Sequence, residues 1–298
     1  MIMVKVLVVK TKSRIDGMKK IFQYYKETFQ AFENKTIIIK PNFNTADPPP
    51  ASTDITIIRE LISHLISVGV KKVIVMERSG PANTYQTMVT KGLYILQEEL
   101  GNFDIIDLSQ PQTHWIPYNS DDLHWKKGFL YPKLLETADA IITLPCLKTH
   151  QFGGHFTLSL KISVGLVPRD GYSYMSELHS SPHIRKMIAE INQIYSPSLI
   201  ILDGVDAFVT GGPAKGTLKN AQVMLASTDR IAVDSIGVAI LRELGTTSEV
   251  SKGSILDQEQ ISRAIELSLG IKSLEEIDLV GYDELSQNYT EKIKKWLN

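Results

Sequence analysis

The residues best suited to chemistry crowd into one stretch, PCLKTHQFGGHFTLSLKISVG at 145 to 165, which carries Lys148, Thr149, His150, His155, Thr157, Ser159 and Lys161 around Gly153-Gly154. Lysine ammonium groups can hold a carboxylate or phosphate through charge-assisted hydrogen bonds. An imidazole, with an ordinary pKa of about 6.5, can take or give a proton near neutrality. If 157 to 161 is extended, Thr157, Ser159 and Lys161 point one way and Leu158, Leu160 and Ile162 the other. If it is a short helix, Thr157 and Lys161 still share a face at i, i+4. A surface strand with solvated lysines would show the same alternation.

Other polar groups fall just after apolar, β-branched runs. Lys40-Pro41-Asn42-Phe43-Asn44 follows IIIK, Glu77-Arg78-Ser79-Gly80 follows VIVM, and Asp203-Gly204 follows LIIL. In open α/β sheets a ligand binds beyond the carboxyl ends of the strands, so these positions belong together. The candidate set is Lys40, Asn42, Lys148, Thr149, Ser159 and Lys161 for binding, and His150, His179 and Asp203 for catalysis. Each also has a plain explanation: Lys40 as a solvated strand end, and Asn42 with Asn44 as turn formers before Ser52, Thr53 or Asp54 caps a helix.

Several familiar chemistries find no support. His179 and His183 have i, i+4 spacing, but Pro182 favours His179 in a loop before a helix that contains His183, and no metal site is expected. Gly211-Gly212-Pro213-Ala214-Lys215-Gly216 is followed by Thr217 where a phosphate-binding P-loop needs lysine. Its glycines instead allow a sharp turn or close approach to the site. No GxGxxG follows the first strand. Cys146, the only cysteine, reads as a small buried apolar residue, and one thiol cannot ligate an iron-sulphur cluster.

The elements that must position these residues alternate. Strands are expected at 4 to 9, 36 to 40, 72 to 77, 103 to 107, 139 to 144, 198 to 203 and 221 to 226. Helices at 14 to 33, 54 to 68, 84 to 100, 183 to 194 and 230 to 243 fall between or after them. This rhythm predicts an α/β fold, a mostly parallel sheet with helices on both faces. A polar, aromatic break at 108 to 131 reads as a hairpin insertion turning at Asn119 to Asp122. From 246 to 298 only helices are expected, near 257 to 268 and 290 to 297, giving a helical C-terminal tail. No linker divides the chain, so 1 to 298 is read as a single domain.

Composition sets the outer bounds. The 298 residues carry 32 Lys+Arg against 33 Asp+Glu, so no global field points to nucleic acid, although a local positive pocket is compatible with it. Apolar runs are too short to span a membrane, the N-terminus lacks a leader pattern, and the single cysteine suits the cytoplasm.

In order, IIIKPNFN (37 to 44), the helix from Thr53 to Gly69, VIVMERSG (73 to 80), DAIITLPCLKTH (139 to 150), TLSLKISVGLVP (157 to 168), LIILDGVDAFVTGGPAKG (199 to 216) and ASTDRIAVDSIG (226 to 237) resemble the domain of unknown function 362 family over about 37 to 245. The resemblance supports the strand-end site and adds Asp229 and Asp234 to its motifs, but names no reaction and no cofactor. Family members are sometimes joined to a cysteine-rich ferredoxin module; with one cysteine in these 298 residues no such module is expected here, and a separate ferredoxin is the partner that this implies. The leading expectation is an enzyme for a small anionic ligand, held by Lys40, Lys148 and Lys161, with His150 moving a proton. The alternatives are a redox or cofactor-binding partner of a ferredoxin, and a noncatalytic anion-binding module.

Overall fold

Apolar runs that are buried on both sides need cover on both sides, and the computed structural model, which describes residues 3 to 297, supplies it. The strands are β1 (Val4–Lys10), β2 (Thr36–Pro41), β3 (Lys72–Glu77), β4 (Phe103–Asp107), β5 (Trp115–Tyr118), β6 (Phe129–Pro132) and β7 (Ala140–Leu144). They continue with β8 (Cys146–His150), β9 (His155–Thr157), β10 (Leu199–Gly211), β11 (Gly216–Lys219), β12 (Val223–Ser227) and β13 (Ile277–Gly281). The main sheet runs β13-β1-β12-β10-β7-β2-β3-β4. β10, β7, β2, β3 and β4 pair parallel, as do β1 and β13, while β12 lies antiparallel between the two groups.

Side-chain alternation sorts the two faces. Leu7, Val9, Ile37, Ile39, Val73 and Val75 join Met18, Ile58 and Leu61 from helices Arg14–Tyr24 and Ile55–Ser67 in one core. Val6, Val8, Ile200 and Leu202 join Ile236 and Ile240 of helix Arg230–Leu244 and Ile261 of helix Glu259–Glu266 in the other. Ile38, Ile74 and Met76 form a third cluster beside Leu166 and Tyr195. The sheet is therefore α/β and mostly parallel, with helices on both faces. The hairpin insertion is β5 paired with β6, and Trp125 from its turn packs on Phe129 and Tyr174.

Three local expectations need correction, and the choice left open between strand and helix at 157 to 164 is decided. The C-terminal extension is helical, at Ser248–Ser251, Glu259–Glu266 and Glu284–Lys294, yet it also contributes the edge strand β13. Residues 157 to 164 are not one extended run: β9 ends at Thr157 and Leu160–Leu166 forms a 3-10 helix, whose entry is fixed when Ser159 N–H and Leu160 N–H both donate to the Asp234 carboxylate, at 2.7 and 3.1 Å. His179 lies in a helix of its own, Tyr174–Ser180, and His183 is the N-cap of helix Ile184–Ile191. The strand predicted to end at Asp203 instead runs on to Gly211, and its far half leaves the main sheet to pair with β8 and β11.

That bend makes the site possible. β7 passes into β8 through Pro145 alone, and the register against β10 slips between Asp203 and Phe208. Gly204 sits at the slip, where a Cβ would lie 2.9 Å from the Val223 carbonyl. β11, β10, β8 and β9 then stand as a flap beyond the carboxyl end of the sheet.

Because β13 covers the free edge of β1 and the last helix buries Ile293 against the core, removing residues 272 to 298 is expected to lower the urea midpoint and give oligomers by size-exclusion chromatography. A monomer with the full-length midpoint would contradict this.

Candidate functional site

A cavity of about 560 Å³ opens between the main sheet and the flap. β2 brings Lys40 and the loop after it Asn42, β3 brings Glu77, and Arg78 follows. β8 supplies Lys148 and His150, β9 Thr157, the 3-10 helix Lys161 and Val164, and helix Tyr174–Ser180 His179. Pro213, Ala214 and Lys215 close the flap side. Gly211 and Gly212 have φ of +76° and +73°, and a Cβ on Gly212 would lie 2.0 Å from the Thr149 carbonyl oxygen, so the turn approaches the site through glycine as expected.

The lining is lopsided in charge. Lys40, Arg78, Lys148, Lys161, Arg169 and Lys215 face a single carboxylate, Glu77. Lys40 is committed to it: its Nζ lies 2.5 Å from Glu77 Oε1 and 2.8 Å from the Pro41 carbonyl. Burial nevertheless pulls Lys40 below the ordinary lysine value, against the pull of Glu77. The Arg78 guanidinium is spent on the Val167, Ser79 and Val164 carbonyls, and burial brings it down to about 10. Arg169 clamps the Gly80, Pro81 and Ala82 carbonyls.

The other two buried lysines have no acid partner. Lys148, fully buried, donates to the Ala51 carbonyl, and burial lowers it to about 8. Lys161, 8% exposed, makes no hydrogen bond or ion pair among the described residues; burial, then Lys148 and Arg78, bring it to about 7. Lys148 stands directly across the β8–β9 ladder from Thr157, whose buried hydroxyl also has no partner. Such a hydroxyl costs free energy unless something in the cavity completes it.

The two imidazoles are set in opposite tautomers. His150 Nδ1 accepts from Gly154 N–H at 3.3 Å, which leaves the proton on Nε2. Burial, with Lys161 and Lys148 nearby, holds its pKa far below the ordinary imidazole range, so the ring is a neutral donor. His179 Nδ1 lies 2.7 Å from the Met175 carbonyl, which can only accept, so Nδ1 carries the proton and Nε2 keeps a lone pair. Burial and Lys161 lower its pKa as well.

Of the residues singled out from the sequence, Lys40, Asn42, Lys148, His150, Lys161 and His179 line the cavity. Asp203, Thr149 and Ser159 do not. Asp203 is buried in mid-strand, where Arg14 Nε reaches Oδ2 at 2.7 Å and Val205 N–H donates at 3.0 Å; it fastens helix Arg14–Tyr24 to the sheet. Thr149 Oγ1 donates to the Phe208 and Gly211 carbonyls, tying β8 to β10, and Ser159 serves through its backbone. Asp229 caps helix Arg230–Leu244 and also accepts from Ile271 N–H. Cys146 is wholly buried, and burial raises its thiol pKa. Glu77 and Arg78 are marked in sequence by their strand-end position and Thr157 by its segment, but none is given a binding or catalytic role there, and the Lys148–Thr157 pairing needs the β8–β9 register.

An unpaired buried lysine carries a sign that can be tested. The unfolded chain holds the Lys161 proton up to about pH 10 and the folded site releases it at about 7, so folding is disfavoured by a constant amount below 7 and stability rises with pH between these values. Lys161→Met should therefore be more stable than the wild type at pH 6, on the order of a few kcal/mol, with the difference shrinking toward pH 10. Urea unfolding from pH 6 to 10 measures it; a variant less stable at pH 6 would contradict the assignment.

The family model for "Domain of unknown function (DUF362)" matches residues 37 to 239. A thylakoid-associated protein of Synechocystis sp., sll1697, is 31% identical over 107 residues, which are 35% of this chain and 33% of that protein, so the match spans about a third of the curated relative's length. Among solved structures, the lactate racemase apoprotein of Thermoanaerobacterium thermosaccharolyticum is similar with a TM-score of 0.45 and 15% identity, covering 75% of this chain and 54% of that one. A crystal structure of a Thermotoga maritima protein gives a TM-score of 0.42 and 13% identity, covering 63% and 49%. With two thirds of its length matched in the order of the strand-end motifs, the chain belongs to the domain of unknown function 362 family.

Proposed function

We propose that the protein is an enzyme that binds a small carboxylate or phosphate and moves a proton on it. The observation that carries this reading is the charge imbalance of the cavity, six basic side chains against one carboxylate, with Lys148 and Lys161 buried without an acid partner. An entering anion supplies the missing counter-charge, and the Thr157 hydroxyl supplies one more donor. His179, with an unprotonated Nε2, is the base. His150, neutral and protonated on Nε2, meets the negative charge that develops on oxygen, in place of the titrating role expected for it from sequence. The lone cysteine, free and buried, supports a cytoplasmic setting.

Calorimetry at pH 7 with inorganic phosphate, acetate and pyruvate tests the binding. At least one should bind the wild type, and Lys148→Met should weaken it by about 1.5 to 3 kcal/mol, the worth of one charge-assisted hydrogen bond. No heat from any of the three at millimolar concentration would overturn the reading.

Wash-in of solvent deuterium beside the carboxylate of the bound acid, followed by NMR, tests the chemistry. His179→Gln should slow it by roughly 10²- to 10⁴-fold. Since burial lowers the His179 pKa, its limb of the wild-type pH-rate profile should lie on the acid side of the ordinary imidazole range, and the variant should lose that limb. An unchanged rate and pH profile in the variant would remove His179 from the mechanism.

A further inference from the structure

Four lysines line the cavity, and they are not equivalent: Lys215 is exposed on the flap side, and the other three are buried. Lys40 is bound to Glu77, and Lys148 is hydrogen-bonded to the Ala51 carbonyl. Of the three buried lysines, Lys161 alone has no hydrogen bond or ion pair among the described residues, at 8% exposure. The backbone of Gly154 packs against its stem, where a Cβ would lie 3.0 Å from Lys161 Cε, and the side chain lines the cavity. An ammonium kept only for charge would gain from a carboxylate or carbonyl beside it; an amine kept for its lone pair must have none. The neighbouring cations and burial place the neutral amine within reach at pH 7.

We propose that Lys161 forms a covalent imine with a bound oxo acid, its Nζ attacking the carbonyl carbon while Lys148 and Thr157, paired across the β8–β9 ladder, hold the carboxylate. The step balances without an added reagent. The neutral amine adds to the C=O carbon to give a carbinolamine; the C–O bond then breaks, and the oxygen leaves as water with the two amine hydrogens, forming C=N. Protonation of that nitrogen gives an iminium, which draws electrons from the adjacent C–H bond and makes it acidic enough for His179 to take the proton. His150 Nε2–H is a donor for the departing oxygen. The substrate class is thus narrowed from small anions to carbonyl compounds bearing a carboxylate. The inference rests on the reading of the cavity as an anion site, and the experiment separates the two.

The full-length protein is incubated at pH 7 with glyoxylate or pyruvate, reduced with sodium borohydride, digested and read by peptide mass spectrometry, with pyruvate binding measured in parallel by calorimetry. The expected result is one reduced adduct, on Lys161, formed ahead of exposed lysines such as Lys12 and suppressed by inorganic phosphate. Lys161→Arg, which keeps the charge and cannot form the imine, should give no cavity adduct. Binding of pyruvate without a reduced adduct, or an adduct on Lys40, Lys148 or surface lysines only, overturns the imine and leaves the anion site standing. Absence of both binding and adduct overturns the anion site and the imine with it.

Discussion

Two neighbouring parallel strands end side by side at Lys40 and Glu77, and the ion pair between them organises the mouth of the sheet. Glu77 Oε1 takes Lys40 and the Arg78 N–H, while Oε2 takes the Phe43 N–H, so one carboxylate fixes the exits of both β2 and β3. Burying the pair costs desolvation that only close geometry and further hydrogen bonds recover. That cost is the reason the remaining cations matter: with Glu77 saturated, nothing else on the cavity wall can neutralise Lys148 and Lys161. A fold that merely required stability would place apolar residues there, since replacing buried charge by packed hydrophobic groups is often neutral or stabilising.

The same economy of donors explains the backbone around the cavity. Asp234 anchors the start of the 3-10 helix by two N–H bonds, and Asn192 holds Leu160 and Ser163, so Lys161 is carried on a segment pinned at its base. Burial raises the Asp234 pKa to about 7, the opposite sense to the lysines it positions. On the other side, the Arg78 guanidinium gathers Val164 and Val167, fastening the end of that segment to the exit of β3. The reactive side chains are therefore held by rigid elements and their donors, with little left to loop motion.

How much of this the sequence discloses depends on whether the signal is local. The strand-helix rhythm, the hairpin insertion and the polar strand ends at 40 to 42 and 148 to 150 are local properties, and they lie where the spacing puts them. What fails is non-local. Asp203 looks like a strand end because Gly204 follows an apolar run, yet the strand bends and continues, and the carboxylate belongs to Arg14 189 residues away. The alternation of Thr157, Ser159 and Lys161 suggests one face of a strand, but Asp234, 75 residues from Ser159, terminates the strand and winds the next turn. β13 escapes notice because an edge strand paired on one side needs no long apolar run.

Glycine placement carries the argument one step further. At Gly165 a Cβ would lie 2.6 Å from Glu77 Oε1 and 2.8 Å from Lys40 Nζ; at Gly154 it would lie 2.9 Å from His150 Nδ1. Both residues let main chain close directly over charged or polar side chains, removing the water that would otherwise solvate them. The close approach at Gly154 also produces the N–H bond that sets the His150 tautomer. Backbone brought close to Lys40, Lys161 and His150 adds to the burial that lowers all three and leaves open the space that an anion must occupy. The perturbed lysines and the open cavity are thus two results of one packing choice, a bare backbone brought close where any side chain would have filled the site.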